Sequence, residues 1–184
     1  MSKNLWKTNR FLPLFVTQFL GAFNDNLFKN ALLVFVAYNL VADEKTVGIY
    51  SNLAAGIFIL PYFLFSAIAG QLADKYNRDK IARILKITEL LLMIGAMFLF
   101  ILKSPQLLIL FLFFMGAQST FFGPVKYSLL PQHLHDDELI EGNAYVEAST
   151  YISIILGAIL GTVLPVYLSV VLLLISAGIG IVSA

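Results

Sequence analysis

Asp25 and Lys29 stand four residues apart inside an apolar run that begins at Phe11 and ends at Val41, together with Gln18, Asn24, Asn26 and Asn30. A charged side chain at the centre of a bilayer costs a few kcal/mol or more, so each needs a partner, water or a functional role. On a helix advancing about 100° per residue from Gln18, Asp25 falls at about 340° and Lys29 at about 20°. The three share a face roughly 40° wide, which Asn26 borders and from which Asn24 points away. A polar stripe at that depth faces a bundle interior or an aqueous cavity, never lipid. Either Asp25 and Lys29 merely neutralise each other at i,i+4 spacing, or the stripe serves a polar ligand or a gate. An ion pair kept in a membrane for packing alone is expensive, which favours the second reading.

Other segments carry similar residues. In "FFMGAQSTFFGPVKYSLLP", Gly123-Pro124 is expected to kink or break a helix and free a carbonyl. Lys126 follows, and either snorkels to the headgroups or enters a cavity. In "EGNAYVEASTYISIILGAILG", Asn143, Glu147, Thr150, Gly157 and Gly161 share a face within about 80°. Ser153, Gly157 and Gly161 form a small-xxx-small ladder that admits a second helix closely. Glu147, one turn inside the membrane, serves either a cavity or a structural ion pair. Glu89 has Lys86 three residues before it, so a local pair is expected there.

The stretch "PQHLHDDELIEGN" sets two histidines beside acids, but without a fixed tetrahedral ligand spacing. His133 is one residue out of register with the His-x4-Asp pattern of glycerolipid acyltransferases, where Glu138 takes the acid's place. A solvated loop whose acids favour the start of the next helix is the simpler reading. No nucleophile–base pair or metal set emerges, so neither an enzyme, a metal nor a cofactor is expected within these residues.

The elements that must position these side chains are membrane spans. Of 184 residues, 59% are hydrophobic and 12% charged, against about 25% charged in a soluble domain. Mean hydropathy is +0.86. A net charge of +1 with no basic patch clear of a membrane flank gives no reason to expect nucleic-acid binding. The lack of cysteine rules out disulfides and Cys-based metal or redox sites. Six apolar segments are long enough to cross a bilayer: near 11–41, 47–73, 81–102, 106–130, 142–164 and 166–184. The expected fold is therefore an all-α membrane protein, with residues 1–184 forming one bundle of six transmembrane helices. The first segment is too long for a straight crossing and should tilt or extend beyond the lipid. Gly161 and Pro165 mark the expected turn between the last two.

Lys3, Lys7, Arg10, Lys75, Arg78, Lys80, Arg83 and Lys86 gather on one side, and only Lys45 and Lys103 on the other. By the positive-inside rule the N-terminus and the even-numbered connections are cytoplasmic. The start, "MSKNLWKTNR", resembles the charged region of a signal peptide, but the apolar stretch runs far past a cleavage point and reads as a retained first span. The end, "LLLISAGIGIVSA", stops in apolar sequence and suggests a truncated chain holding one of two bundles.

Between spans two and three stands "GQLADKYNRDK". It resembles the cytoplasmic loop signature of the major facilitator superfamily, with Asn77 in place of the usual glycine. Asn is the next-best residue for the left-handed turn a glycine would supply. The resemblance implies the superfamily fold, with a C-terminal bundle absent from these residues, and a conformational latch at Gly70, Asp74, Lys75 and Arg78. "FLGAFNDN", "FFGPVKYSLLP" and "EGNAYVEASTYISIILGAILG" together look like the bacterial lysophospholipid transporter family, over Phe11 to about Gly161. That implies a carrier in the inner (cytoplasmic) membrane moving lysophospholipid, chiefly lysophosphatidylethanolamine, from the outer to the inner leaflet for reacylation. Implied partners are membrane lipids, a C-terminal transporter bundle, and an acyltransferase/acyl-acyl-carrier-protein synthetase, fused or separate. Gln18, Asp25, Asn26, Lys29, Lys126 and Glu147 are then the candidate binding or gating residues. Carriage of another small amphiphile or solute, or anchoring of a fused lipid-modifying enzyme, are the alternatives.

Overall fold

Helix boundaries follow local chemistry. Proline opens both α1 (Leu12–Val34) and α4 (Pro105–His133), where its missing N–H would have had no partner in any case. Asp43 caps α2 (Glu44–Lys75) by accepting from the Thr46 amide at 3.2 Å. Bonding to Thr46 holds its carboxyl below the usual carboxylate range. The cap's contribution is therefore present above that range and is lost as pH falls through the lowered value. Asn77 caps α3 (Arg78–Ile101) by accepting from the Lys80 amide at 3.0 Å. This corrects the left-handed turn expected at Asn77: its φ of −63° and ψ of 118° are extended, because its side chain is used as a cap. The remaining helices are α5 (Leu139–Val163) and α6 (Val166–Ser183), and a π-helical turn, Phe35–Asn39, prolongs α1. The structure, a computed structural model, describes residues 5, 8, 10–39 and 43–183. Lys3, Lys7, Val41 and Ala184, used above for orientation and span ends, lie outside them.

Two expectations about helix breaks are corrected. Helix α4 continues through Pro124 and Pro131, so of the kink or break expected at Gly123-Pro124 the break does not occur. Gly161 is not at a turn: it is buried inside α5, and the chain reverses at Leu164 and Pro165. Its absent side chain is needed instead for contact. A Cβ at Gly157 would come 2.6 Å from the Phe23 carbonyl oxygen of α1, and one at Gly161 would come 2.6 Å from that of Leu27. The small-residue ladder thus seats α5 directly on the backbone of α1. Gly116 of α4 meets the Phe58 carbonyl of α2 in the same way.

These contacts belong to one pattern. Helix α1 packs most extensively on α5 and then on α6, while α4 packs most on α2 and then on α3; α3 also meets α6. Exchanging α1–α3 with α4–α6 reproduces the pattern. Successive helices joined by short connections run antiparallel, so α1 and α4 point oppositely and the two triplets form an inverted repeat. Outward positions such as Leu91, Ile155 and Val163 are exposed and apolar, as lipid-facing surface requires.

Among the described residues, five of the six α-helices are long and apolar enough to cross a membrane. The exception is α1, whose Gln18, Asn24, Asp25, Asn26, Lys29 and Asn30 lower its hydropathy. It sits between α4, α5 and α6, so protein rather than lipid surrounds much of that polarity.

Gly157→Ala should destabilise the protein by about 1–3 kcal/mol, because the added methyl meets backbone that cannot move aside. Gly178→Ala in α6, where a Cβ meets nothing within 4 Å, should be neutral or stabilising by up to about 1 kcal/mol. Thermal unfolding of the two purified variants beside wild type checks both signs. Equal effects would contradict the proposed close approach of α5 to α1.

Candidate functional site

Asn24 and Asp25 are neighbours on α1 and point to different surroundings. Asn24 faces the bundle core, where its amide donates to Glu89 Oε1 of α3 at 2.7 Å. The Ser176 hydroxyl of α6 donates to Asn24 Oδ1 at 2.5 Å. Lys86 Nζ donates to Glu89 Oε2 at 2.7 Å and lies 4.9 Å from the centre of the Phe122 ring of α4. Lys86 and Glu89 are 1% and 3% exposed. The local pair expected from their spacing is present. It is also a buried ion pair, satisfied by groups from three helices. A Cβ at Gly21 would come 2.8 Å from Lys86 Nζ, so α1 leaves room for the ammonium.

Asp25 faces an open cavity of about 260 Å³. It lies 13 residues into α1, about 20 Å along the helix, which is mid-bilayer depth. The Ser119 hydroxyl of α4 donates to Asp25 Oδ2 at 2.5 Å, and Gln118, Tyr62 of α2 and Lys86 also border the space. No cation lies within 4 Å of Asp25 among the described residues. Nearer the helix end that carries His133, the cavity is lined by Gln18, Lys126, Tyr127 and Thr150. Lys126 Nζ lies 4.6 Å from the centre of the Tyr127 ring and forms no ion pair within 4 Å among the described residues. The Tyr127 hydroxyl donates to Glu147 of α5.

Of the residues expected from sequence, Gln18, Asp25 and Lys126 are brought to this cavity, and Glu147 borders it through Tyr127. Gln18 is also structural: its amide donates to the Val146 carbonyl of α5 at 3.0 Å and reaches the Ser149 and Thr150 hydroxyls. Asn26 and Lys29 are not among the lining residues. The Asn26 amide folds back on the Ala22 carbonyl at 2.9 Å. Lys29 lies 3.4 Å from Asn26 Oδ1 and 5.7 Å from the centre of the Phe58 ring. Lys29 and Asp25 do not pair, so mutual neutralisation is not what accommodates them. Sequence reasoning passed over Tyr62, Gln118 and Ser119. The run Gln118-Ser119-Thr120, polar in the middle of an apolar span, was the available signal.

At the helix ends beyond this cavity, Arg78 donates to the carbonyls of Ala73 at 3.2 Å and Ser128 at 3.4 Å, tying the α2–α3 connection to α4. Asp74 and Lys75 are exposed, and a Cβ at Gly70 would meet nothing within 4 Å. His133 ends α4, and its carbonyl accepts from Arg10 at 3.2 Å.

A bundle of long apolar helices in an inverted three-plus-three arrangement, with a polar cavity at mid-depth, defines a multi-pass membrane protein of the transporter type. Residues 14–184 match the family model for the Major Facilitator Superfamily, and the chain belongs to that superfamily. It is 31% identical over 146 residues to a lysophospholipid transporter of Photorhabdus laumondii, covering 79% of this chain and 34% of that protein. It is 28% identical over 153 residues to a lysophospholipid transporter of Salmonella heidelberg, covering 83% of this chain and 36% of that protein. The chain thus spans about a third of the length of these curated relatives. No solved structure matches it significantly.

Removing one member of the buried ion pair leaves the other charge uncompensated. Lys86→Met or Glu89→Leu alone should cost about 3–5 kcal/mol, whereas the double variant should recover most of the loss. A double-mutant cycle on thermal or denaturant unfolding measures the coupling, and additive losses would contradict the pairing.

Proposed function

We propose that this chain is one bundle of a carrier that moves lysophospholipid, chiefly lysophosphatidylethanolamine, from the outer to the inner leaflet of the bacterial cytoplasmic membrane for reacylation. The observation that carries the reading is the cavity. It presents an unpaired carboxylate, Asp25, at mid-membrane depth and an unpaired ammonium, Lys126, toward one mouth. Lys126 lies seven residues beyond Ser119, about 10 Å along α4, and its long side chain bridges part of that distance. A zwitterionic headgroup complements the two, its ammonium on Asp25 and its phosphate on Lys126, in charge-assisted hydrogen bonds. The names of the relatives point to the same substrate class.

In this reading Gln18 and Glu147 shape the mouth, the latter through Tyr127, while Asn26 and Lys29, outside the cavity lining, act as gating residues. Gly70, Asp74, Lys75 and Arg78 form the conformational latch, with Arg78 holding α4 in the present state. The basic residues concentrated at the Arg10, Arg78 and Lys80 end make that end cytoplasmic. A C-terminal bundle completes the carrier, and an acyltransferase/acyl-acyl-carrier-protein synthetase, fused or separate, consumes the delivered lipid. No catalytic role falls to these residues.

The test follows labelled lysophosphatidylethanolamine moving inward in spheroplasts that carry the complete protein. Loss of one charge-assisted contact is worth about 1.5–3 kcal/mol, so Asp25→Asn and Lys126→Ala should each lower transfer at limiting substrate by about tenfold or more. Wild-type transfer no faster than in cells lacking the protein would sink the carrier assignment. Undiminished transfer in both variants would remove the headgroup site.

A further inference from the structure

A cavity of about 620 Å³ lies at the opposite end of the bundle, between the last turn of α1, the end of α3 and the start of α6. Its volume falls in the range of about 300–1,000 Å³ typical of small-molecule and cofactor pockets. Its walls are apolar, with Met97 and Phe100 from α3 and Val171 from α6. Its rim carries Lys103, Tyr38 and Tyr167. The tyrosines are 79% and 68% exposed, and exposed tyrosines beside apolar helix ends mark the headgroup level of a membrane. Lys103 is held at the rim by an unusual backbone, its φ of 52° being the only positive value at a non-glycine position among the described residues. It forms no ion pair within 4 Å among the described residues. From Lys103 to Met97 the groove descends six residues, about 9 Å, toward the bilayer core.

An unpaired cation at headgroup level, above an apolar groove running inward, has the charge and shape of one phospholipid. We propose that a phospholipid of the surrounding leaflet occupies this groove, its phosphate on Lys103 and one acyl chain against Met97, Phe100 and Val171. The site is separate from the cavity at Asp25, and it holds whatever the cargo proves to be. It would fasten α3 and α6 to the bilayer at the end of the bundle where cations are few.

The test uses the complete protein in nanodiscs containing phosphatidylethanolamine with a photoreactive group on one acyl chain. Cross-linked peptides are mapped by mass spectrometry, with the segment around Leu91, exposed on the same helix, as the reference for loosely surrounding lipid. Labelling at 97–101 and 166–171 should exceed the reference several-fold. It should fall to the reference level in Lys103→Glu, and in Val171→Trp, which fills the groove from an exposed position. Lys103→Arg should retain it, and a photoreactive diacylglycerol, lacking phosphate, should label the groove no more than the reference. Unfolding temperatures of the variants identify any that fold poorly, and the diacylglycerol comparison needs no variant. Groove labelling equal to the reference, insensitive to Lys103→Glu or as strong with diacylglycerol would overturn the proposal. So would a groove shielded from every lipid probe by another part of the complete protein.

Discussion

The Lys86–Glu89 pair is the constraint around which the bundle is arranged. Two opposite charges taken out of water lose hydration that their mutual attraction regains only if further hydrogen bonds satisfy them. Here those bonds come from α1 through Asn24, with Ser176 of α6 holding Asn24 in turn. The face of Phe122 of α4 accommodates the ammonium. Four helices therefore converge on one pair of charges. Because the alternative is an unsatisfied ion in an apolar interior, the register of α1 against α3 and α6 is fixed more sharply than apolar packing alone would fix it.

Close packing supplies what the charges do not. Gly157 and Gly161 bring α5 onto the backbone of α1, and Gly116 brings α4 onto α2. Lipid tails are as apolar as leucine, so the gain in these contacts comes from dispersion and fit rather than from exclusion of water. The two contacts are counterparts in the inverted repeat. With α1 bound to α5 and α4 bound to α2, the α1–α4 contact is comparatively slight, and there the cavity opens between Asp25, Ser119 and Lys126.

The all-α class was readable in the sequence because hydropathy registers each helix independently of its neighbours. So was the polar face of α1, and so was the local Lys86–Glu89 pair, since both are set by spacing within one helix. The partners of Asp25 and Asn24 were not readable in the same way. Ser119 and Ser176 lie 94 and 152 residues away in sequence, and only packing shows which spans face each other. Spacing also misled where one residue type has two uses. Gly161 looked like punctuation but serves contact, Asn77 looked like a glycine substitute but serves as a cap, and Lys29 shares a face with Asp25 without pairing to it. In each case the local rule was sound and a tertiary partner decided between its outcomes.

Asp25 and Glu89 show how one fold gives two carboxylates opposite circumstances. Glu89 accepts from Lys86 and Asn24 and is shut in on all sides, so exchanging its partners would mean taking the core apart. Asp25 accepts from one hydroxyl and borders open space, which leaves acceptor capacity for a group that enters the cavity. The two are joined through adjacent residues of α1, because Asn24 is bound into the Glu89 network and Asp25 faces the cavity. About 100° of helical rotation separates them, so α1 cannot turn to re-aim Asp25 without breaking the Asn24 bonds. The Asn24 bonds therefore tie α1 to α3 and α6 directly beside the residue that faces the cavity.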